Sequence, residues 1–378
     1  MTQRAAIEPF IAMEVAREAS LRAAAGESIV RFDVGQPHWG APAAALAAAE
    51  KAMRSEALGY TEGLGAMVLR REIAAMYARE HGLDIDPARI VITTGASGAF
   101  TLAFLALFDT AARVVIASPG YPPYRHILKA LGMEAVIVEA DVADGLQLTT
   151  TLLQQAGTFD GALVASPANP TGAMLSRDDL AGLCAAMRVA GKPLISDEIY
   201  HGLTYATPAT TALAFDDDVI VVNSFSKYWA MTGWRVGWIV APPRLVKSIE
   251  RLAQNLTVAP PTISQVAALG ALTAKQECEE RRALYAENRA LLLKELPGLG
   301  LPPVVTPGGA FYVLADVAAH TDDSMAFSRR LLAEAGVAVT PGVDFCATRG
   351  RGWARLAYCR PGAEIEVGIA RLALLARG

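Results

Sequence analysis

From residue 90 onward the chain repeats one pattern: a short apolar run, a few small or polar residues, then a stretch with helical spacing. The runs are Ile90-Val91-Ile92-Thr93, Val114-Val115-Ile116-Ala117, Ala162-Leu163-Val164-Ala165, Pro193-Leu194-Ile195-Ser196 and Val219-Ile220-Val221-Val222. None alternates apolar with polar, as a strand with one wet face would. Near-continuous apolar strands interleaved with helices predict a buried, mostly parallel sheet covered on both faces. Ligands of such sheets gather beyond the carboxyl ends of the strands. Following the runs there are Thr94-Gly95-Ala96-Ser97, Pro119-Gly120-Tyr121, Pro167-Ala168-Asn169-Pro170-Thr171-Gly172, Asp197-Glu198-Ile199-Tyr200 and Ser224-Phe225-Ser226-Lys227. The polar and aromatic exceptions of the central region thus share one edge of one sheet.

After Gln265 the pattern changes. A long helical stretch runs through 277–295. Candidate strands Phe311-Tyr312-Val313-Leu314, Val337-Ala338-Val339 and Trp353-Ala354-Arg355-Leu356 then alternate with helices such as 324–335. The stretch 364–377 places Ile365, Ile369 and Leu372 at the spacing of an amphipathic helix. The alanine-rich segment 41–52 also predicts a helix. The expected fold is α/β, with a large domain over 41–270 and a smaller α/β domain built from 1–40 and 271–378. A length of 378 residues suits two domains.

Composition narrows the function classes. A hydrophobic fraction of 53% supports a large core, and a formal net charge of -4 argues against generic nucleic-acid binding. Cys184, Cys278, Cys346 and Cys359 lack metal-ligand spacing, so no metal site is expected and reduced thiols are. No run is long and uncharged enough to span a bilayer, and Glu8 and Pro9 interrupt any leader-like apolar stretch at the start. These features predict a soluble cytoplasmic protein without a membrane partner.

The most informative stretch is Ser224-Phe225-Ser226-Lys227-Tyr228-Trp229-Ala230-Met231-Thr232-Gly233-Trp234-Arg235-Val236-Gly237. Lys227 follows an apolar strand and is hemmed by Phe225, Tyr228 and Trp229. Apolar surroundings disfavour the charged amine, lower its pKa and make it a nucleophile for carbonyl carbon. Ser224 and Arg235 place a hydroxyl and a guanidinium beside it, suited to phosphate. Gly95-Ala96-Ser97 ends a strand and opens a helix, so its backbone N–H groups offer a second phosphate-binding element. Neither a G-x-G-x-x-G run nor a P-loop is present, which leaves dinucleotide and nucleoside-triphosphate readings without their key motif.

This order of residues resembles the lysine signature of class-I pyridoxal-phosphate aminotransferases, members of fold type I. The resemblance runs from about Val34 to Arg360. It implies pyridoxal 5′-phosphate held by Lys227 as an internal aldimine, and a catalytic set of Lys227, Asp197 and Tyr200. Asp197 would meet the pyridine nitrogen; Asn169 and Tyr200 would bind the ring hydroxyl; Tyr121 and Ile199 would cover the two ring faces. Gly95, Ala96, Ser97, Ser224 and Arg235 would hold the phosphate. Tyr60 would reach the phosphate of a neighbouring subunit, which implies a homodimer with a shared active site. On the substrate side the resemblance implies Arg355 for the α-carboxylate, with Gly35 and Asn169 beside it. The implied reaction moves an amino group from an amino acid to a 2-oxo acid by a ping-pong route through a quinonoid and pyridoxamine phosphate.

Two segments depart from the family pattern. Gln36-Pro37-His38-Trp39 stands where Glu-Pro-Asp-Phe is commoner, which makes Trp39 a specificity candidate. Pro341-Gly342-Val343-Asp344-Phe345 is followed by Cys346 where glycine is usual. The segment 255–265 has no arginine or lysine to pair with a side-chain carboxylate, so neutral amino donors are expected. Two rival readings share these residues. A carbon–sulfur β-lyase would use the same lysine and aspartate. A serine acyl-transfer enzyme would use Ser224-Phe225-Ser226-Lys227 as its Ser-x-x-Lys, but the chain lacks that family's Lys-Thr-Gly.

Overall fold

The computed structural model describes residues 2–375. Its strands are β1 (Val30–Arg31), β2 (Ile90–Thr93), β3 (Arg113–Ser118), β4 (Glu134–Glu139), β5 (Gly161–Ala165), β6 (Leu194–Asp197), β7 (Ile220–Ser224), β8 (Gly237–Val240), β9 (Tyr312–Asp316), β10 (Val337–Ala338), β11 (Thr340–Pro341) and β12 (Trp353–Ala357). The large sheet has seven strands in the order β2-β8-β7-β6-β5-β3-β4. All its neighbours run parallel except β8, which is antiparallel to both β2 and β7. The apolar runs seen in the sequence are β2, β3, β5, β6 and β7, and together they form a mostly parallel α/β sheet.

Why these strands read as continuous apolar runs is visible in β7. Ile220 and Val222 pack into one hydrophobic cluster, with Phe100 and Phe104 of the helix Gly95–Leu107. Val221, between them, packs into the other, with Trp238 and Leu183. Successive side chains of a strand face opposite ways, and here both ways lead into a core. Two strands of the large sheet escaped the sequence pattern. At the sheet edge, β4 carries exposed Glu134 and Glu139, and Ile137 is exposed too. The other, β8, is fully buried, but lies directly behind the Lys227 segment and reads as its continuation.

A smaller unit carries the antiparallel sheet β11-β12-β9 and the parallel pair β1-β10. Through β1, the N-terminal segment pairs with a strand more than three hundred residues later, Val30 beside Val337. The helices Lys275–Glu295 and Gly362–Leu375 pack on each other in this region. The expected helix over 324–335 is an α-helix at Ser324–Arg330 that widens into a π-turn at Leu331–Ala335, ended by Gly336 at φ 61°. The last residues of the expected terminal helix, including Arg377, lie outside the described residues. Among the described residues no helix is long and apolar enough to cross a membrane, and all four cysteines are buried and free.

Candidate active site

A cavity of about 240 Å³ opens at the carboxyl ends of β5, β6 and β7. Its remaining walls come from the start of the helix Gly95–Leu107, from the segment after β3, from β9 and β12 and from the N-terminal segment. The parallel register sets the strand ends side by side: Ala165 pairs with Asp197, and Asp197 with Val222. Residues just past those ends therefore face one space.

Lys227 sits in the loop between β7 and β8. That loop is cinched by backbone bonds from the N–H groups of Phe225 to Val236, Met231 to Phe225 and Ala230 to Lys227. Ala230 and Arg235 take left-handed backbone angles to make the reversal, φ 52° and 51°. The amine donates to the Gly35 carbonyl at 2.6 Å and lies about 6 Å from the Tyr200 and Phe311 ring centres. Burial lowers its pKa to about 8, with the nearby Arg355 and Arg235 charges acting in the same direction. About a tenth of the amine is thus neutral at pH 7.

Asp197 is almost fully buried at the end of β6. Loss of hydration raises its pKa to about 6, against two hydrogen bonds that favour the anion. These come from the Tyr124 hydroxyl and the Ile199 N–H at 3.1 Å. Tyr124, from the helix Pro123–Ala130, was not singled out in the sequence. Its neighbour Tyr121, three residues earlier, was; the two rings meet edge to face at 5.2 Å. Tyr200 shares a hydroxyl–hydroxyl bond of 2.7 Å with Tyr312, another residue the sequence reading passed over.

Arg355 projects from β12 and is buried. Its guanidinium donates to Asn169 Oδ1 at 2.8 Å, to Thr340 Oγ1 at 3.0 Å and to the Asp33 carbonyl. The Tyr312 and Phe345 rings flank it at 4.6 and 4.8 Å. Its buried Nε has no hydrogen-bond partner. Gly35 is required for this packing, because a Cβ there would fall 1.8 Å from the Tyr312 hydroxyl.

At the other end of the cavity the helix Gly95–Leu107 begins without any side-chain cap, leaving its first N–H groups free. Gly95 has φ +75°, and a Cβ there would lie 2.5 Å from an Arg235 nitrogen. Arg235 itself donates to the Thr232 carbonyl at 2.9 Å. Ser97 and Ser226 line the same end. Ser224 does not. As the last residue of β7 it turns inward, with its hydroxyl bonded to Ser226 Oγ at 2.9 Å and to the Val236 carbonyl at 3.0 Å. That hydroxyl helps to close the loop, while Ser226 lines the cavity.

The cavity therefore gathers Gly35, Ala96, Ser97, Tyr121, Asn169, Asp197, Ile199, Tyr200, Lys227, Arg235 and Arg355. Trp39 stays outside. It packs against Tyr285 at 5.7 Å and faces a separate hollow with His38 and Trp234. Tyr60 does not line its own chain's cavity and is 85% exposed. Added to the wall, unforeseen, are Phe10, Ala12 and Met13. No local signal marks them, since they reach the site only because the N-terminal helix is laid across it.

A lysine amine, a buried carboxylate and an arginine fork thus line one cavity at the carboxyl edge of the large sheet. Residues 27–372 match the family model for aminotransferase class I and II, and the chain belongs to that family. It is an aminotransferase, acting on an amino acid and a 2-oxo acid, in a family that generally uses pyridoxal phosphate. It is 44% identical to a valine–pyruvate aminotransferase of Mycobacterium tuberculosis, over 98% of this chain and 96% of that one. It is 33% identical to an aspartate/prephenate aminotransferase of Thermus thermophilus, over 92% and 91% of the two chains. Among solved structures, an aminotransferase from M. tuberculosis superposes with a TM-score of 0.98 at 43% identity, covering 100% of this chain and 99% of that one. The T. thermophilus aspartate aminotransferase with maleate gives 0.94 at 32%, covering 99% of each.

Proposed function

We propose that this aminotransferase binds pyridoxal 5′-phosphate in the cavity and takes its amino group from neutral L-amino acids, by a ping-pong route. The observation that carries this reading is the placement of Lys227, Asp197 and Arg355 around one space. The donor set fits the cofactor at each end. An uncapped helix start with Arg235, Ser97 and Ser226 suits a phosphate dianion. A buried carboxylate with raised pKa suits a protonated ring nitrogen, and its own desolvation penalty is relieved by that partner. Tyr121 and Ile199 offer apolar surface between the two ends.

When bound, the cofactor supplies an aldehyde carbon that condenses with amines and a ring that takes up electrons from the substrate Cα. Asp197 would hold a proton on the ring nitrogen. Tyr124 keeps that carboxylate charged. Lys227, with its lowered pKa, would take the proton from the substrate Cα and hold it at Nζ for return. Arg355 binds the substrate carboxylate, and its bonds to Asn169 and Thr340 keep the guanidinium plane from rotating. Asn169 and Tyr200, whose hydroxyl is bonded to that of Tyr312, would hold the ring hydroxyl.

Neutral donors follow from charge accounting. The cations lining the cavity are Lys227, Arg235 and Arg355, and each has a task. Among the described residues of this chain no further cation lines the cavity to pair with a side-chain carboxylate, whose burial unpaired is costly. The valine–pyruvate activity named for the M. tuberculosis relative agrees with this choice. A homodimer is part of the proposal, because exposed Tyr60 then has a neighbouring phosphate to reach. So is a division into 41–270 and 1–40 plus 271–378, supported by the separate sheets and the pairing of β1 with β10.

The test is the visible absorption of the purified protein with added pyridoxal phosphate. A yellow band is expected that fades with valine and returns with pyruvate, and that Lys227→Ala abolishes. Absence of the band, or pyruvate release from sulfur amino acids without fading, would reject the assignment.

A further inference from the structure

The helix Ile11–Ala24 has Phe10 as its N-cap residue and no side-chain cap of its own. Its cap comes from the other end of the chain. Asp344 Oδ1 accepts from the Ile11 N–H at 3.2 Å, and Oδ2 accepts from the Ala12 N–H at 3.0 Å. Asp344 is 1% exposed. It belongs to Pro341-Gly342-Val343-Asp344-Phe345, a segment that also touches the other walls of the cavity. Thr340, just before it, pairs with Arg355 and accepts from its guanidinium. The Phe345 carbonyl accepts from the Gly120 N–H at 3.1 Å, beside Tyr121. Arg125 donates to the Asp344 carbonyl at 2.8 Å and fixes the turn.

The helix needs such a cap. The residues it buries are Ala12, Ala16 and Ala19, which remove little apolar area from water. Further ties are Arg31, which donates to the Ala16 carbonyl at 3.2 Å and to Ser20 Oγ at 3.1 Å, and the half-buried Val15, which packs with Leu332 and Ala338. Yet the N-terminal end of this lightly anchored helix supplies Phe10, Ala12 and Met13 to the cavity. Phe10 meets Tyr121 edge to face at 5.8 Å. Met13 is 56% exposed although it lines the cavity. An alkyl group entering there would cover it.

We infer that Asp344 is a positioning residue for donor selection: by capping the helix Ile11–Ala24 it holds Phe10 and Met13 as the apolar wall against the donor's side chain. The inference rests on the proposed use of neutral amino donors. The wall acts on binding of the side chain, not on proton transfer at Cα. Loosening it therefore raises KM for donors long enough to touch it and leaves kcat in place.

Steady-state kinetics of the holoenzyme with valine and with alanine, for Asp344→Ala, Asp344→Asn, Phe10→Ala and the Asp344→Ala/Phe10→Ala pair, test this. A lost helix cap corresponds to a change of between about twofold and thirtyfold in an equilibrium. Asp344→Ala is expected to raise KM for valine within that range, with kcat for valine and KM for alanine each within about twofold of wild type. Asp344→Asn, which retains one acceptor oxygen, should fall between. Phe10→Ala should show the same selective loss, and the pair should be no worse than the larger single change, because both act through one wall. Equal losses for the two donors, a fall in kcat alone, or multiplying losses in the pair would overturn the inference. If Asp344→Ala does not fold, Asp344→Asn and Phe10→Ala still decide between these outcomes. Wild-type enzyme that takes its amino group from neither donor would instead count against the proposed donor class.

Discussion

Replacing Tyr124 with phenylalanine removes one oxygen and little else. The ring keeps its edge-to-face contacts with Phe100 at 5.1 Å and Tyr121 at 5.2 Å, so the fold should hold. What goes is the hydroxyl donated to Asp197. Asp197 already has a pKa of about 6 because burial outweighs its two hydrogen bonds. A hydrogen bond to a charged group contributes about 1.5–3 kcal/mol, which corresponds to a rise of roughly one to two pKa units. At pH 7 the ionised fraction of Asp197 in the cofactor-free protein would fall from about nine-tenths to between about one-half and one-tenth. Only the ionised form pairs with a protonated ring nitrogen.

The assay is titration of the cofactor-free protein with pyridoxal phosphate from pH 5 to pH 9, for wild type and Tyr124→Phe. The phosphate and Lys227 titrate alike in both, so their contributions cancel in the difference. The acid limb of affinity should move up by about one to two pH units in the variant, and the two proteins should converge near pH 9. Coincident curves would refute the idea that Tyr124 tunes Asp197. A uniform loss at every pH would show that the hydroxyl acts by packing or by direct contact with the cofactor.

Arg355→Lys should raise KM for the amino donor about 10- to 100-fold, since an ammonium offers no planar fork and cannot keep the bonds to Asn169, Thr340 and Asp33 together; an unchanged KM would remove Arg355 from carboxylate binding. Asp197→Asn should stabilise the cofactor-free protein. The folded-state pKa of Asp197 is raised from 3.8 to about 6, so ionising it costs nothing extra below pH 4 and up to about 3 kcal/mol above pH 6. Thermal melts of the variant should exceed wild type at pH 7.5 and meet it near pH 4; equal melts at pH 7.5 would contradict the burial penalty.

Much of the site was legible because one local rule reports on it. Buried parallel strands are short, continuous and apolar, and a residue just past such a run stands at the ligand edge whatever the rest of the chain does. Asn169, Asp197 and Lys227 follow from that rule, and the lysine segment carries the family resemblance besides. Ser224 shows its limit. The sequence places two serines beside the lysine but not the direction of either side chain, and β7 turns Ser224 inward where Ser226 faces out. The strands β4 and β8 were missed for related reasons, one being too polar at the sheet edge and the other hidden behind a motif read as a loop.

What the sequence determined by itself was therefore the alternating α/β order, the shared edge of the large sheet, and the residue types available there for amine, acid and phosphate chemistry. Tertiary structure alone decided which distant groups meet them. Tyr124 reaches Asp197 across 73 positions, Arg355 reaches Asn169 across 186, and Asp344 caps a helix 332 positions away. It also kept Trp39 out of the cavity and brought Phe10 and Met13 in. The physical reason is range. Hydrophobic periodicity records which face of an element is buried, a property of a few neighbouring residues. A hydrogen bond between chain ends depends on how separately folded elements pack, and no local pattern along the chain records it.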